Sequence, residues 1–458
     1  MNPFFDIKTQ AALESNLNAL VEIVEQQGES LRGVRPPSEE KKDLFSRLMT
    51  LATEVRGRPL FYDYIGTGRG CGPYVELCDG SVKLDFINGI GVHIFGHSNP
   101  TVLKAAAQAS LSDILMQGHL QMNSEYLDFS KKIIGLAKGS RLTHGWVSPS
   151  GSMANENALK MARQKNSPAR MIIAMEDSFA GRTTMMAEVT DNPSYKEGLP
   201  EYHEVLRIPF YDKNNSKSIQ ETYQRFKKIV DENKGNISCF YFEPMLGEGG
   251  YKVAPKEFFI PLFEECRKQG IAIWADEVQT FLRTGEPFAF QTLGISEYVD
   301  IVTIAKTAQC GMTLFTEEYN PRPGLIAGTF ASSSPALAAG LAIVTEMEEK
   351  NYFGPNGRIA KIHEEFVGML QDLCEGSLKG LLTDPEGLGL MVAVTPLSGD
   401  KDKIMKLLKL MYSKGFIAFG CGKKPFRLRF LVPAIVQTQD LRVACQILEE
   451  SILEIAKG

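Results

Sequence analysis

The chain has 458 residues, 43% of them hydrophobic and 23% charged, with a formal net charge of −5 and a pI near 5.9. That is enough apolar material for a large core and for two or more structural domains. No basic excess argues for nucleic acid, no run of like charge suggests a tail, and no uncharged apolar run is long enough to span a bilayer. Eight cysteines are scattered without a C-x-x-C pair, which indicates neither a zinc site nor a disulfide frame and fits reduced thiols in a cytoplasmic protein. The first six residues, Met1 to Asp6, lack a cationic region followed by a long apolar one, so no signal peptide is expected.

Residues 1–56 read as a helical, polar arm broken at Arg35-Pro36-Pro37, with Leu17, Leu20, Val21 and Ile23 as one apolar face. Residues 66–72 (GTGRGCG) look like a nucleotide loop, but the spacing is not G-x-G-x-x-G. Strand-like Tyr74-Val75-Glu76-Leu77 also follows where a helix is required. Asp79-Gly80 suits a hairpin turn, with residues 82–86 as the returning strand. His93 and His97 share helical spacing among glycines that disfavour a helix, and no third ligand suggests a metal.

From about residue 100 helix and strand alternate. Helices are expected over 100–112, 124–137, 153–164 and 255–269. Strands are expected over 171–174, 238–242, 271–275 and 301–305. This pattern implies a mainly parallel sheet covered on both faces, over residues 100–350. Past Gly354-Pro355 the elements are shorter. Residues 351–458 read as a smaller α+β domain, to which residues 57–99 contribute.

Four expected strand ends carry polar groups: Ser150-Gly151-Ser152, Glu243, Asp276 and Lys306. Ligands of open α/β sheets bind beyond such ends. Ser-Gly-Ser at the start of a helix suits a phosphate, or is simply an N-cap. An aspartate after Ala272-Ile273-Trp274-Ala275 is partly buried and needs a cationic partner, either a ring nitrogen or a structural arginine. A lysine after Ile301-Val302-Thr303-Ile304-Ala305 is a solvent lysine by itself and an amine nucleophile if its surroundings are apolar. Lysine, acid and phosphate cradle together meet the needs of pyridoxal phosphate.

Longer motifs fall in order around these residues: LDFINGIGVHIFGHSNP (84–100), SGSMANENALK (150–160), FAGRT (179–183), EPMLGEGG (243–250), DEVQT (276–280), RTG (283–285), AK (305–306) and GTF (328–330). With them the chain, from about Pro59 to its C-terminus, resembles the class III (ω-) aminotransferases of the fold type I pyridoxal-phosphate enzymes. The resemblance implies Lys306 as the Schiff-base lysine and proton carrier, with Asp276 against the ring nitrogen. It implies Val278 and Phe179 on the two ring faces, Gln279 near the ring hydroxyl, and Glu243 in the cofactor shell. Gly151 and Ser152 hold the phosphate, joined by Thr329 of a second subunit, so the resemblance implies a homodimer with shared active sites.

For substrate, the resemblance implies Arg182 gripping a carboxylate. It also implies Arg429 receiving the α-carboxylate of 2-oxoglutarate or glutamate, with Glu248 neutralising it when an ω-amino substrate enters; Arg427 competes for Arg429's position. Ile90 stands where the 4-aminobutyrate enzymes carry isoleucine. Ala154-Asn155-Glu156-Asn157-Ala158, residues 314–319 and Gly420-Cys421-Gly422 lean to the 4-aminobutyrate and lysine 6-aminotransferase branch.

The chain departs from the family at Ala180, where a ring is usual, and in the short Phe281-Leu282 link. It departs again in Thr307-Ala308-Gln309-Cys310 and Ala331-Ser332-Ser333. The expected activity is transfer of the terminal amine of an ω-amino acid to 2-oxoglutarate. Acetylornithine or ornithine aminotransferase and a glutamate-semialdehyde-type aminomutase are the alternatives within the family. A non-catalytic scaffold is the alternative outside enzymes.

Overall fold

A computed structural model describes residues 7–111 and 116–457. The reading of the first six residues, and Ser112 at the end of an expected helix, lie outside this range.

Seven strands form the central sheet: β1 (His144–Ser148), β2 (Met171–Met175), β3 (Val205–Ile208), β4 (Ile237–Phe242), β5 (Ala272–Asp276), β6 (Ile301–Ile304) and β7 (Gly311–Phe315). Their order is β1-β7-β6-β5-β4-β2-β3. β7 runs antiparallel to both neighbours, and the other pairings are parallel.

The four strands expected from sequence are β2, β4, β5 and β6. The sheet also holds β1, β3 and β7, for which the alternation gave no strand. β1 and β3 are edge strands, half-buried over most of their length, and carry His144 and Arg207, which blurs the apolar pattern. β7 is fully buried, but it follows Lys306 after a single 3-10 turn, Lys306–Ala308, where an alternating pattern leads one to expect a helix.

β4 and β5 are buried at every residue, so they read as continuous apolar runs. Side chains still alternate between faces. Phe240 and Phe242 meet Phe259 and Phe263 of the helix Lys256–Gln269 on one side. Tyr241 packs edge-on to Trp274 on the other, ring centres 4.8 Å apart. The registers Asp276–Thr303, Ala275–Phe242 and Ser148–Gly311 bring the carboxyl ends of β1, β4, β5 and β6 to one edge of the sheet.

Two four-stranded sheets accompany the central one. In the first, Gly66–Cys71, Tyr74–Leu77 and Val82–Asp85 are completed by Phe416–Ile417 from the far end of the chain. The glycine-rich segment is thus a hairpin strand, in keeping with its failed nucleotide spacing. The second sheet is antiparallel: Leu382–Leu388, Met391–Pro396, Arg427–Leu431 and Phe419–Cys421.

The amino-terminal helix Ile7–Gly28 differs from the expected single apolar face. Leu17 is buried, whereas Leu20 and Ile23 are 60% and 52% exposed. Leu17 and Val21 are one turn apart, and the other two point elsewhere.

Arg427 is committed to this architecture. Its guanidinium donates to the carbonyls of Gly250, Asp384 and Ala393, to the Thr395 hydroxyl and to Glu386 at 3.0 Å, all from a buried position. Arg427→Met is therefore expected to destabilise the fold by about 3 kcal/mol, read as a lower midpoint in urea unfolding at unchanged slope.

Candidate active site

The edge where the strand ends converge holds a cavity of about 340 Å³. Six of the residues expected from sequence line it together: Gly151, Ser152, Phe179, Asp276, Val278 and Lys306. The helix Gly151–Lys165 begins at this cavity, with the Ser150 hydroxyl accepting from the Met153 amide. Ser150 is therefore the N-cap, and Gly151 and Ser152 lie at the positive end of fifteen aligned peptides. A Cβ on Gly151 would come within 2.9 Å of Val278, and one on Gly181 within 2.4 Å of the Ser152 hydroxyl oxygen. Both glycines keep the cradle open.

Asp276 is 4% exposed. Its Oδ1 accepts from the Val278 amide at 2.9 Å, and its Oδ2 accepts from Asn155 Nδ2 at 2.7 Å. The Tyr241 hydroxyl lies 3.0 Å from Oδ2 and 2.9 Å from the Phe179 carbonyl, and its one proton serves either. Burial raises the Asp276 pKa, and these donors oppose the rise. Among the described residues, every hydrogen-bond partner of Asp276 is neutral, so the structural arginine considered from sequence is not what holds it. A buried carboxylate with neutral donors behind it and a cavity before it suits a cation delivered by a ligand.

Asn155 and Tyr241 were not foreseen. Asn155 lies one helical turn beyond Gly151 and so shares its face, which is the only local signal it carries. Tyr241 sits unmarked in a fully buried strand, Ile237–Phe242. Asn155 also donates to the Ala180 carbonyl at 2.7 Å, so both residues tie Asp276 to the loop that presents Phe179.

Lys306 follows β6 in a left-handed conformation, φ 52°, partly buried at the cavity. Burial first, and the Arg429 charge second, push its pKa down to about 8, against the pull of Glu248, Asp276 and Glu243. The neutral, nucleophilic amine is therefore the major form above pH 8 and falls about tenfold per pH unit below it. Uptake of pyridoxal phosphate by the cofactor-free protein is expected to quicken with pH and level off above about 8, measured by stopped-flow absorbance.

The remaining expected residues lie outside this lining. Glu243 is buried, and its carboxylate accepts from the Phe179 amide at 2.9 Å and the Gly247 amide at 3.0 Å. Burial and the Asp276 charge push its pKa up to about 8. It braces the Phe179 loop from behind. Gln279 is buried against Gly247, with its Oε1 unpartnered among the described residues.

Glu248 pairs with the fully buried Arg429, Oε1 to Nη1 at 2.6 Å, and with Arg427 consumed by structural bonds the pairing separates the two arginines. Arg182 is exposed, with its guanidinium carbon 3.8 Å from the Tyr195 ring centre and 5.8 Å from that of Phe179. Ile90 is 41% exposed in a short turn, Asn88–Gly91, where it takes φ 59°. Thr329 is exposed and away from the cavity. His97 pairs with Asp85, Nε2 to Oδ2 at 3.0 Å.

The donor set fits pyridoxal phosphate on three points: a helix start opened by glycines for an anion, a buried carboxylate whose hydrogen-bond partners among the described residues are all neutral, and a lysine whose amine is depressed towards neutrality.

Comparison with known proteins gives a consistent picture. A family model described as aminotransferase class-III matches residues 56–452. A probable 4-aminobutyrate aminotransferase of Bacillus subtilis is 28% identical over 84% of this chain and 92% of that protein. A 5-aminovalerate aminotransferase of Pseudomonas putida is 30% identical over 82% of this chain and 91% of that protein. Among solved structures, lysine aminotransferase from M. tuberculosis superposes with a TM-score of 0.79 at 20% identity, covering 89% of this chain and 99% of that one.

Proposed function

Since the chain belongs to the class III aminotransferases, which are pyridoxal-phosphate enzymes, we propose that it moves the terminal amine of an ω-amino acid to 2-oxoglutarate. The observation that carries this reading is the Glu248–Arg429 pair beside Lys306. A cation that an adjacent carboxylate covers or frees suits two substrates that differ in whether a carboxylate arrives there. The names of the relatives above point to ω-amino donors as well.

Bound in the cavity, pyridoxal phosphate supplies the electron sink that lets an amine leave one carbon and join another. The Gly151 amide and the Ser152 hydroxyl bind the phosphate at the helix start. Val278 and Phe179 hold the ring from its two faces. Asp276 keeps the ring nitrogen protonated, and Asn155 and Tyr241 fix the carboxylate in place. Lys306 Nζ, as a neutral amine, would hold and move the proton that leaves the amine-bearing carbon. Gln279 would lie near the ring hydroxyl.

Arg182 grips the distal carboxylate of the donor, and Ile90 bounds the donor chain. Arg429, once Glu248 swings off it, receives the α-carboxylate of 2-oxoglutarate. The protein works as a cytoplasmic homodimer, in which Thr329 of each subunit completes the partner's phosphate site. An exposed apolar patch supports this, with Leu120 95% and Phe330 43% exposed on the segments around Gly118 and Thr329.

An amine-donor screen with 2-oxoglutarate tests the reading. 4-Aminobutyrate, 5-aminovalerate or lysine should yield glutamate. Exclusive use of acetylornithine or ornithine would move the chain to that branch, and isomerisation of a substrate without any oxo acid would overturn the proposal.

A further inference from the structure

A second cavity, of about 530 Å³, adjoins the first across Phe179 and has Glu248 at its edge. One wall is aromatic and apolar, with Phe61, Tyr195, Phe419, Phe426 and Met405 joining Phe179 from separate parts of the chain, and polar residues line the rest. Tyr195 stands edge-on to Phe179, ring centres 6.1 Å apart at 90°. The Arg182 guanidinium lies on the Tyr195 ring. The turn Pro193–Tyr195 is fixed by Asn192, whose side chain accepts from the Ser194 amide. Lys423, also at this cavity, is neutralised by Asp177 at 2.9 Å and Asp191 at 3.5 Å.

A cavity of this size matches ligands far larger than a four-carbon amino acid, within the roughly 300–1,000 Å³ usual for drug-sized molecules. Its apolar wall stabilises methylene or aryl groups, and it offers little to a short, fully solvated chain. Glu248 lines this cavity and Phe179 borders both cavities, so the second cavity meets the one holding Lys306 at Phe179. Arg182 lies outside the lining, held on the Tyr195 ring where that residue borders the cavity.

We propose that this cavity takes the body of the amine donor, and that the enzyme prefers ω-amino acids with a long aliphatic or an aryl spacer over 4-aminobutyrate. Tyr195 is the positioning residue that holds Arg182 by stacking while its edge lines the cavity. The inference rests on the ω-aminotransferase reading and names its substrate class.

The test is a set of single-turnover half-reactions of the holoenzyme with the series from 4-aminobutyrate to 8-aminooctanoate and with 4-(aminomethyl)benzoate. The value of kcat/KM should rise by at least about tenfold along the series, since each buried methylene is worth roughly fourfold. Met405→Trp, which fills the cavity, should abolish the ratio of long to short donors. Tyr195→Ala should raise KM for carboxylate-bearing donors about tenfold with little change in kcat, and Tyr195→Phe should restore it, because the ring face is kept. A series that is flat or best at four carbons, or a Met405→Trp variant that leaves the ratio intact, would overturn the inference alone. Reaction with glutamate but with no ω-amino acid would remove the functional reading beneath it.

Discussion

Lys306→Ala is expected to lower the rate of amine transfer by about 10⁴-fold, the upper range for loss of a positioned acid–base group. The variant also loses the only lysine among the residues lining the cavity. The substitution removes an amine whose pKa is pushed down to about 8, so the wild type carries an appreciable neutral fraction at physiological pH. No neighbour takes over. Glu243, the other group titrating near 8, is turned away onto the Phe179 and Gly247 amides. The fold should survive, because lysine and alanine both carry a Cβ and meet the same cost in the left-handed conformation of residue 306. The measurement is bleaching of the bound cofactor by saturating 4-aminobutyrate, with circular dichroism as the control for folding. Added methylamine should recover part of the rate, since a small free amine enters the space the side chain leaves.

Asp276→Asn should cost roughly 10³-fold in the same half-reaction. A charge pair at about 4 Å in an interior of effective dielectric near 20 is worth about 4 kcal/mol, or three decades. The amide is nearly isosteric and retains an acceptor for the Val278 amide, but its NH2 replaces the Oδ2 that accepts from Asn155, so the loss combines the charge with that hydrogen bond. Asn155→Ala and Tyr241→Phe each remove one of the donors on Asp276 Oδ2 and leave its charge. Their losses should be smaller and should appear as a shift in the pH dependence of the half-reaction, because the Asp276 pKa rises further without a donor.

Much of this site was legible in the chain because it is built from strand ends. A polar residue directly after an apolar run is visible in sequence, and Asp276, Lys306 and the Ser150–Ser152 turn all have that form. What was hidden depends on contacts between distant segments. Asn155 and Tyr241 look like ordinary helix and strand residues until β4 and β5 pair and the helix Gly151–Lys165 lands beside them.

Arg427 and Arg429 are two apart on one strand and therefore share a face. Only the positions of Glu386 and Glu248 distinguish them, and those lie in other segments. Glu243 was readable as a strand-end acid, but its direction was not, because that depends on the amides of Phe179 and Gly247. The reversal at Lys306–Ala308 hid β7 for a similar reason: a buried strand of Gly-Met-Thr-Leu-Phe carries no mark of its direction. Arg182 and Thr329 are named only by resemblance to a family, and within a single chain they stay at the surface, where a substrate or a second subunit would meet them.

The most direct test follows the nitrogen. Wild-type holoenzyme is given ¹⁵N-labelled 4-aminobutyrate, or a longer ω-amino acid, with unlabelled 2-oxoglutarate, and the products are read by mass spectrometry. The account predicts ¹⁵N in glutamate together with an equal amount of the ω-oxo acid, and neither product from Lys306→Ala. Label retained in the donor, or label reaching glutamate at an undiminished rate in Lys306→Ala, would contradict it.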